Sequence, residues 1–337
     1  MRDFDEARFL RIQSGASALA GPIYAAVGGL LAQGATNVFF LGTGGAAILM
    51  QPAVQILQAQ SAFPVFAPLA DELVAGGSRH LGNGSIVVIP SLSGTTKESI
   101  AAMEYCRARG ATIVTLVGHA DTPLGKGGDH ILVNFAEDDT SSESFYLQSL
   151  LVALSIMRRR GEFDGYDAFV ADAVRLPEVL LAVKRRFDPD AEIFAEAIRD
   201  TPWHIITGAG GAWPQAFYYG MCILEEMQWI RTRPIHASDF FHGTLELLES
   251  GVSLILLKGE DAYRPLADRV EAFARDKTDR LTVFDTAAQD LPGISPETRA
   301  LISPILLATM LERVSDHLAR KRNHPLTTRR YYRRVAY

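Results

Sequence analysis

The sequence predicts an α/β fold built as two tandem three-layer α/β/α domains with parallel sheets, related by internal duplication. Three observations predict it. Apolar runs of strand length alternate with helical periods, the pattern of parallel strands covered on both faces. A strand, a glycine turn and a helix occur twice, at Gly42-Thr43-Gly44-Gly45 and Gly208-Ala209-Gly210-Gly211, with Gly42 and Gly208 lying 166 residues apart. The 337 residues, 48% hydrophobic and 21% charged, are enough for two domains, each with its own core.

Phe9, Ile12, Ala16, Leu19 and Ile23 recur at helical spacing, so Glu6 to Leu31 reads as helix with a break at Pro22. Asn37 to Leu41 is a buried strand entering the first glycine turn, and an apolar helix runs from Ala46 to about Gln58. Pro64–Pro68 and Ser85–Pro90 read as strands. The second leads through Ser91-Leu92-Ser93-Gly94-Thr95-Thr96 into a helix from Lys97 to Arg109. Strands at Thr112–Val117 and His130–Phe135 and a helix from Ser142 to Arg160 close the first half. Residues 161–195, charged and holding Pro177 and Pro189, read as a helical linker. The pattern then restarts: strand Trp203–Thr207, helix from Trp213 to Ile230, strand Ser253–Leu257, helix Tyr263–Arg275, strand Arg280–Phe284 and helix Ser303–Arg320. The expected division is an N-terminal helical segment (1–30), a first α/β domain (31–160), the linker (161–195), a second α/β domain (196–320) and a tail (321–337).

A formal charge of -6 argues against a nucleic-acid partner, which calls for a basic excess. Two cysteines, Cys106 and Cys222, make no disulfide framework and suit a reducing compartment. Met1-Arg2-Asp3-Phe4-Asp5-Glu6 is too acidic for a secretory leader, and no run is expected to approach the roughly 20 apolar residues of a membrane span. The expectation is a soluble cytoplasmic protein without a membrane partner.

Chemistry concentrates in three places. After the strand ending at Pro90, the turn offers four hydroxyls (Ser91, Ser93, Thr95, Thr96) at the entrance of a helix. The first amides of a helix lack partners and carry partial positive charge, so hydroxyls and amides together suit a phosphate monoester. One hydroxyl would suffice for a cap alone. Gly42-Thr43-Gly44-Gly45 fits a dinucleotide fingerprint poorly, because the next acidic residues are Asp71 and Glu72; it suits a sugar lying against the backbone. In the second half, Glu226 and His242 could act as base and acid beside a carbonyl. Equally, Glu225 and Glu226 could be a solvated helix end, and His242 a cap or core residue. His236 and His242 lack a metal-ligand spacing, and no G-x-S-x-G elbow or basic partner of a cysteine occurs, so neither a metal nor a covalent nucleophile is expected. The basic, aromatic tail from His324 to Tyr337 is either solvated or docked across an interface or over an anionic site.

Together these pieces resemble the double-domain sugar isomerase (SIS) family. Ser91-Leu92-Ser93-Gly94-Thr95-Thr96 is similar to the family's S-x-S-G-x-T phosphate loop and Gly42 to Gly45 to its first glycine turn. Glu225-Glu226-Met227-Gln228-Trp229 through Phe241-His242-Gly243 is similar to its E-x-x-[YW]…H-G segment. The resemblance spans residue 30 to the C-terminus. It implies a homodimer with a shared active site, no cofactor, and a phosphorylated sugar or sugar-amine substrate held by Gly42, Thr43, Gly44, Gly45, Ser91, Leu92, Ser93 and Thr96. It implies catalysis by Glu226 as base and His242 as acid, with His242 reaching the partner subunit's site. Leu92 departs from a position often polar, and Ile223 stands where glucosamine-6-phosphate synthase has lysine. The Glu-Glu-Met-Gln-Trp and Arg-Arg-Tyr-Tyr segments resemble the fructosamine 6-phosphate deglycases, hydrolases that release glucose 6-phosphate and an amine. The alternatives are an aldose–ketose isomerase and a non-catalytic sugar-phosphate regulator. In the second half Leu256 to Asp261 replaces the serine turn, and its acidic character predicts one phosphate site per chain.

Overall fold

The computed structural model describes residues 1, 4–136, 141–332 and 334–335. Arg2 and Asp3 of the amino terminus, and Arg333, Ala336 and Tyr337 of the tail, lie outside the described residues. The chain forms two compact units, one of Asp5–Glu178 with Gly293–Thr298, the other of Met1–Phe4, Val179–Pro292 and Arg299–Tyr337. The division falls between Glu178 and Val179, within a helix, Tyr166–Ile198, that contains both Pro177 and Pro189.

The amino-terminal unit is built on five parallel strands: β1 (Asn37–Phe40), β2 (Val65–Phe66), β3 (Ser85–Ser91), β4 (Thr112–Val117) and β5 (His130–Val133), in the order β2-β1-β3-β4-β5. Every residue of β3 is buried, as befits the central strand of a sheet covered on both faces. Phe39, Val87, Ile89, Ile113 and Val117 pack against Ala102, Met103 and Cys106 of the helix Lys97–Arg107. Two expectations are corrected here. The first helical stretch breaks at Leu19, giving Glu6–Ala18 and Ala20–Ala32, because restarting there puts Pro22 in a first turn, where its missing N–H is harmless. The helix expected from Ala46 is two pieces, Gly45–Ile48 and Gln51–Gln60.

Among the described residues one stretch, Glu6–Ala32, has the length and composition of a membrane-crossing helix, with an 18-residue window of mean hydropathy 1.4. Within the unit it packs on the helix Ser141–Arg159 and buries Ile23, Val27 and Leu30.

The carboxyl-terminal unit holds four parallel strands, β6 (Trp203–Gly208), β7 (Arg231–His236), β8 (Leu254–Lys258) and β9 (Leu281–Asp285), in the order β7-β6-β8-β9. Ile205, Leu254 and Leu256 bury against Ala267, Val270 and Ala274 of the helix Arg264–Ala274. Strand β7 is an addition to the sequence reading. Its run Arg-Thr-Arg-Pro-Ile-His lacks the apolar alternation of a strand, and Pro234 is tolerated because β7 is an edge. The helix expected from Trp213 to Ile230 is Ala212–Tyr218, then a π-helical segment Tyr219–Glu225, then a last turn Glu226–Gln228. The final helix starts earlier than expected and runs Pro296–Lys321.

Candidate active site

In each unit the strand order reverses once. From β1 the chain crosses to β2 on one side, then returns to β3 on the other and proceeds outward. The carboxyl ends of β1 and β3 therefore diverge, and open parallel sheets bind ligands in the crevice that results. Both turns singled out in the first half sit there: Gly42–Gly45 follows β1, and Ser91–Thr96 follows β3.

The hydroxyls of the serine turn are not equivalent. Ser91 is buried, and its Oγ accepts the Gly94 amide at 2.9 Å, shaping the turn. Ser93 Oγ accepts the Thr95 hydroxyl at 3.2 Å. Thr96, the N-cap of the helix Lys97–Arg107, makes no side-chain cap bond, leaving its hydroxyl and the adjoining amides available to an anion. Gly94 has φ +64, and a Cβ there would lie 2.0 Å from Thr122 Oγ1, so the turn's closeness to the next loop requires glycine. Leu92 is partly buried. Across the crevice, Thr43 Oγ1 is buried without a hydrogen-bond partner, whereas buried hydroxyls are ordinarily paired.

In the carboxyl-terminal unit, Glu226 lines an open cleft of about 690 Å³ formed with Glu225, Trp229, Arg231, Thr232 and tail residues 329–332. The two glutamates have different employment. Glu225 Oε1 accepts from the Thr232 amide at 3.1 Å and its hydroxyl at 2.6 Å, which ties the helix to β7. That approach depends on Gly220, where a Cβ would meet Pro234 Cγ at 2.8 Å and Thr232 Oγ1 at 3.0 Å. Glu226 instead pairs with Arg329 Nε at 2.8 Å. The guanidinium of Arg329 also donates to the Thr328 carbonyl at 3.0 Å, so it is held as well as paired. π-Helical turns cluster at functional sites, and this one ends immediately before Glu226. The tail thus docks over the cleft that Glu226 lines, one of the three placements the sequence left open.

His242 is exposed, follows the helix Ala237–Phe240, and is not among the residues lining the Glu226 cleft. His236 caps that same helix, its Nδ1 accepting the Ser238 amide at 3.1 Å, and burial lowers its pKa. Burial pushes the Cys106 thiol up to about 11 and the Cys222 thiol up to about 12, the latter with help from the charges of Glu226 and Glu225. Neither is a thiolate near neutrality. At the reversal point of the second sheet, the Asp261 carboxylate accepts the Gly211 amide at 2.7 Å and the Tyr263 amide at 2.9 Å. Arg299 pairs with the neighbouring Glu260 at 2.8 Å. The residues that sequence reasoning missed are Trp229, Arg231, Arg329 and Arg330. The basic, aromatic tail was the signal for Arg329 and Arg330 and the E-x-x-[YW] segment for Trp229, but which acid a tail arginine meets is a tertiary fact.

A parallel sheet flanked by helices, with a glycine turn and a serine–threonine turn on either side of its reversal point, defines the class, and the chain belongs to the SIS domain family, whose match covers residues 31–158. It is 30% identical to a fructosamine deglycase of Bacillus subtilis, over 89% of this chain and 92% of that protein. It is 26% identical to a fructoselysine 6-phosphate deglycase of Escherichia coli O157:H7, over 88% of this chain and 85% of that one. The crystal structure of a Bacillus subtilis protein solved as a candidate phosphosugar isomerase superposes with a TM-score of 0.88 at 28% identity, covering 96% of this chain and 99% of that one.

Proposed function

We propose that this protein is a cytoplasmic phosphosugar deglycase that converts a ketosamine 6-phosphate into glucose 6-phosphate and a free amine. The observation that carries the reading is the unpaired, buried Thr43 hydroxyl in the turn after β1, where the first sheet reverses and β3 ends in a hydroxyl-rich helix entrance. The deglycase names of its relatives supply the reaction class.

In this reading the serine turn and the glycine turn grip the 6-phosphate and the adjoining sugar, supplying positioning energy remote from the reacting carbons. Glu226 removes a proton from C1, the carbon bearing nitrogen, to give an enolamine. Protonation at C2 moves the unsaturation to the C1–N bond as an imine, and water adds at C1 to expel the amine. His242 protonates and deprotonates the sugar oxygens. Its place outside the lining of its own chain's cleft supports a role at the site of a second copy in a homodimer. Every step is a proton transfer, the addition of water or the loss of the protonated amine from the carbinolamine, with no net change of oxidation state, so the scheme calls for no electron carrier. Arg329, paired with Glu226 at 2.8 Å, holds the carboxylate in place within the cleft.

The test is to offer a fructosamine 6-phosphate, the same fructosamine without phosphate, and fructose 6-phosphate, each assayed for glucose or its 6-phosphate. The reading expects strong turnover of the first and little of the others. Turnover of fructose 6-phosphate alone would replace it with an aldose–ketose isomerase, a reading favoured by the structural neighbour solved as a candidate phosphosugar isomerase.

A further inference from the structure

The Glu226 cleft carries more positive charge than the proposed proton transfer uses. It is lined by three arginines and two glutamates, and both glutamates have partners: Glu225 holds Thr232, and Glu226 holds Arg329. Arg231 and Arg330 are exposed and have no acidic partner among the described residues. In a chain of net charge -6, two guanidinium groups left unpaired in one cleft are a receptor waiting for an anion.

Their positions are built rather than incidental. Trp229 ends the helix in the left-handed conformation, φ 56, which costs a bulky residue strain and turns the chain so that β7 begins at Arg231. The closing bonds run from the Trp229 amide to the Glu225 carbonyl at 3.2 Å and from the Ile230 amide to the Leu224 carbonyl at 2.9 Å. The indole is held between tail groups: the His324 ring meets it edge-on at 4.5 Å, and the Arg330 guanidinium lies over it at 4.2 Å. Gln228 Nε2 donates to the His324 carbonyl at 2.8 Å, pinning the tail to the helix end. Held over the indole, the exposed Arg330 guanidinium keeps the N–H donors that a bidentate anion needs.

We propose that Arg231 and Arg330 form a carboxylate subsite that selects substrates whose leaving amine is an α-amino acid joined through its α-nitrogen. The inference rests on the deglycase reading of Glu226. In such a substrate the carboxylate lies two bonds from the nitrogen whose bond to C1 is cleaved, so it enters the same cleft as the base. The ligand chemistry is a planar or tetrahedral anion, and the experiment distinguishes a carboxylate from the sugar's own phosphate.

Two ketosamine 6-phosphates are compared, one made from glycine and one from methylamine, which are alike in sugar and phosphate and differ in the carboxylate. The wild-type homogeneous protein is expected to favour the glycine-derived compound in kcat/KM by roughly ten- to hundredfold, the worth of one or two charge-assisted hydrogen bonds. In the variant Arg231→Gln/Arg330→Gln, checked by circular dichroism for folding, that ratio falls to about one, and Arg231→Lys/Arg330→Lys restores part of it. A wild-type ratio near one, or a ratio unchanged in the double variant, overturns the subsite while leaving the deglycase reading intact. An equal loss on both compounds assigns the arginines to the phosphate and overturns it too. Failure to process either compound removes the deglycase reading and this inference with it.

Discussion

Replacing Gly94 with Ala tests whether the serine turn is held as tightly as its contacts indicate. The added Cβ faces two costs. A residue with a Cβ pays about 1–2 kcal/mol at a left-handed φ such as +64. The same atom would lie 2.0 Å from Thr122 Oγ1 and 2.6 Å from Thr122 Cβ. Thr122 cannot step aside freely, because its hydroxyl accepts the Gly125 amide at 3.0 Å and donates to the His119 carbonyl at 2.9 Å. Overpacking of this kind adds typically 1–3 kcal/mol, so the total is about 2–5 kcal/mol. Urea unfolding followed by fluorescence reads the loss, and a coupled assay on a fructosamine 6-phosphate reads a raised KM as Ser93 and Thr96 shift. Thr122→Gly in the same chain relieves the contact and not the backbone, so the pair should show a coupling of about 1–3 kcal/mol. A Gly94→Ala protein within about 0.5 kcal/mol of wild type, the range of an ordinary surface change, would refute the argument.

Three further outcomes are expected. Thr43→Val removes a hydroxyl that bonds nothing within the protein, so stability should hold or rise while the KM for the phosphorylated substrate increases roughly fivefold to tenfold; a destabilised variant with unchanged KM would contradict this. Arg329→Gln removes the group that holds Glu226, so kcat on a fructosamine 6-phosphate should fall about tenfold in a folded variant, and an unchanged kcat would show the pair to be idle. Burial alone would push the Asp188 carboxyl up, but hydrogen bonds from His317 and Arg313 hold it below its ordinary value. A depressed carboxylate stabilises above its unfolded pKa of about 3.9 and loses that contribution as pH falls through the folded value. Asp188→Asn leaves the fully buried Arg313 short of a partner and should cost about 3–5 kcal/mol near pH 7, with the gap to wild type closing at the acid end of a urea titration series.

The two turns of the first unit were legible because a fully buried strand running into Ser, Thr and Gly has few other meanings. Only the family resemblance singled out Glu226 over Glu225, since adjacent residues near a helix end share a composition signal and differ only in what they touch. The structure separates them by giving Thr232 to one and Arg329 to the other. Strand β7 escaped notice because an edge strand may carry Arg, Thr and Pro where a central strand carries aliphatics. The π-helical segment left no trace either, because its wider turn follows from Gly220 packing on β7 and not from local propensity. The break at Leu19 was misplaced at Pro22 for a related reason: proline limits where a helix begins more strictly than where the preceding one ends.

The central claim is that Glu226 moves a proton from C1 before the amine departs. That order makes the aldose the first product, whereas direct displacement at C1 by water would yield fructose 6-phosphate. A fructosamine 6-phosphate labelled with ¹³C at C1, followed by NMR with wild type and with folded Glu226→Gln, reads both points at once. Glucose 6-phosphate is expected as the first hexose to appear, and the variant is expected to be slower by at least about a hundredfold. Fructose 6-phosphate appearing first, or near-native turnover by the variant, would contradict it.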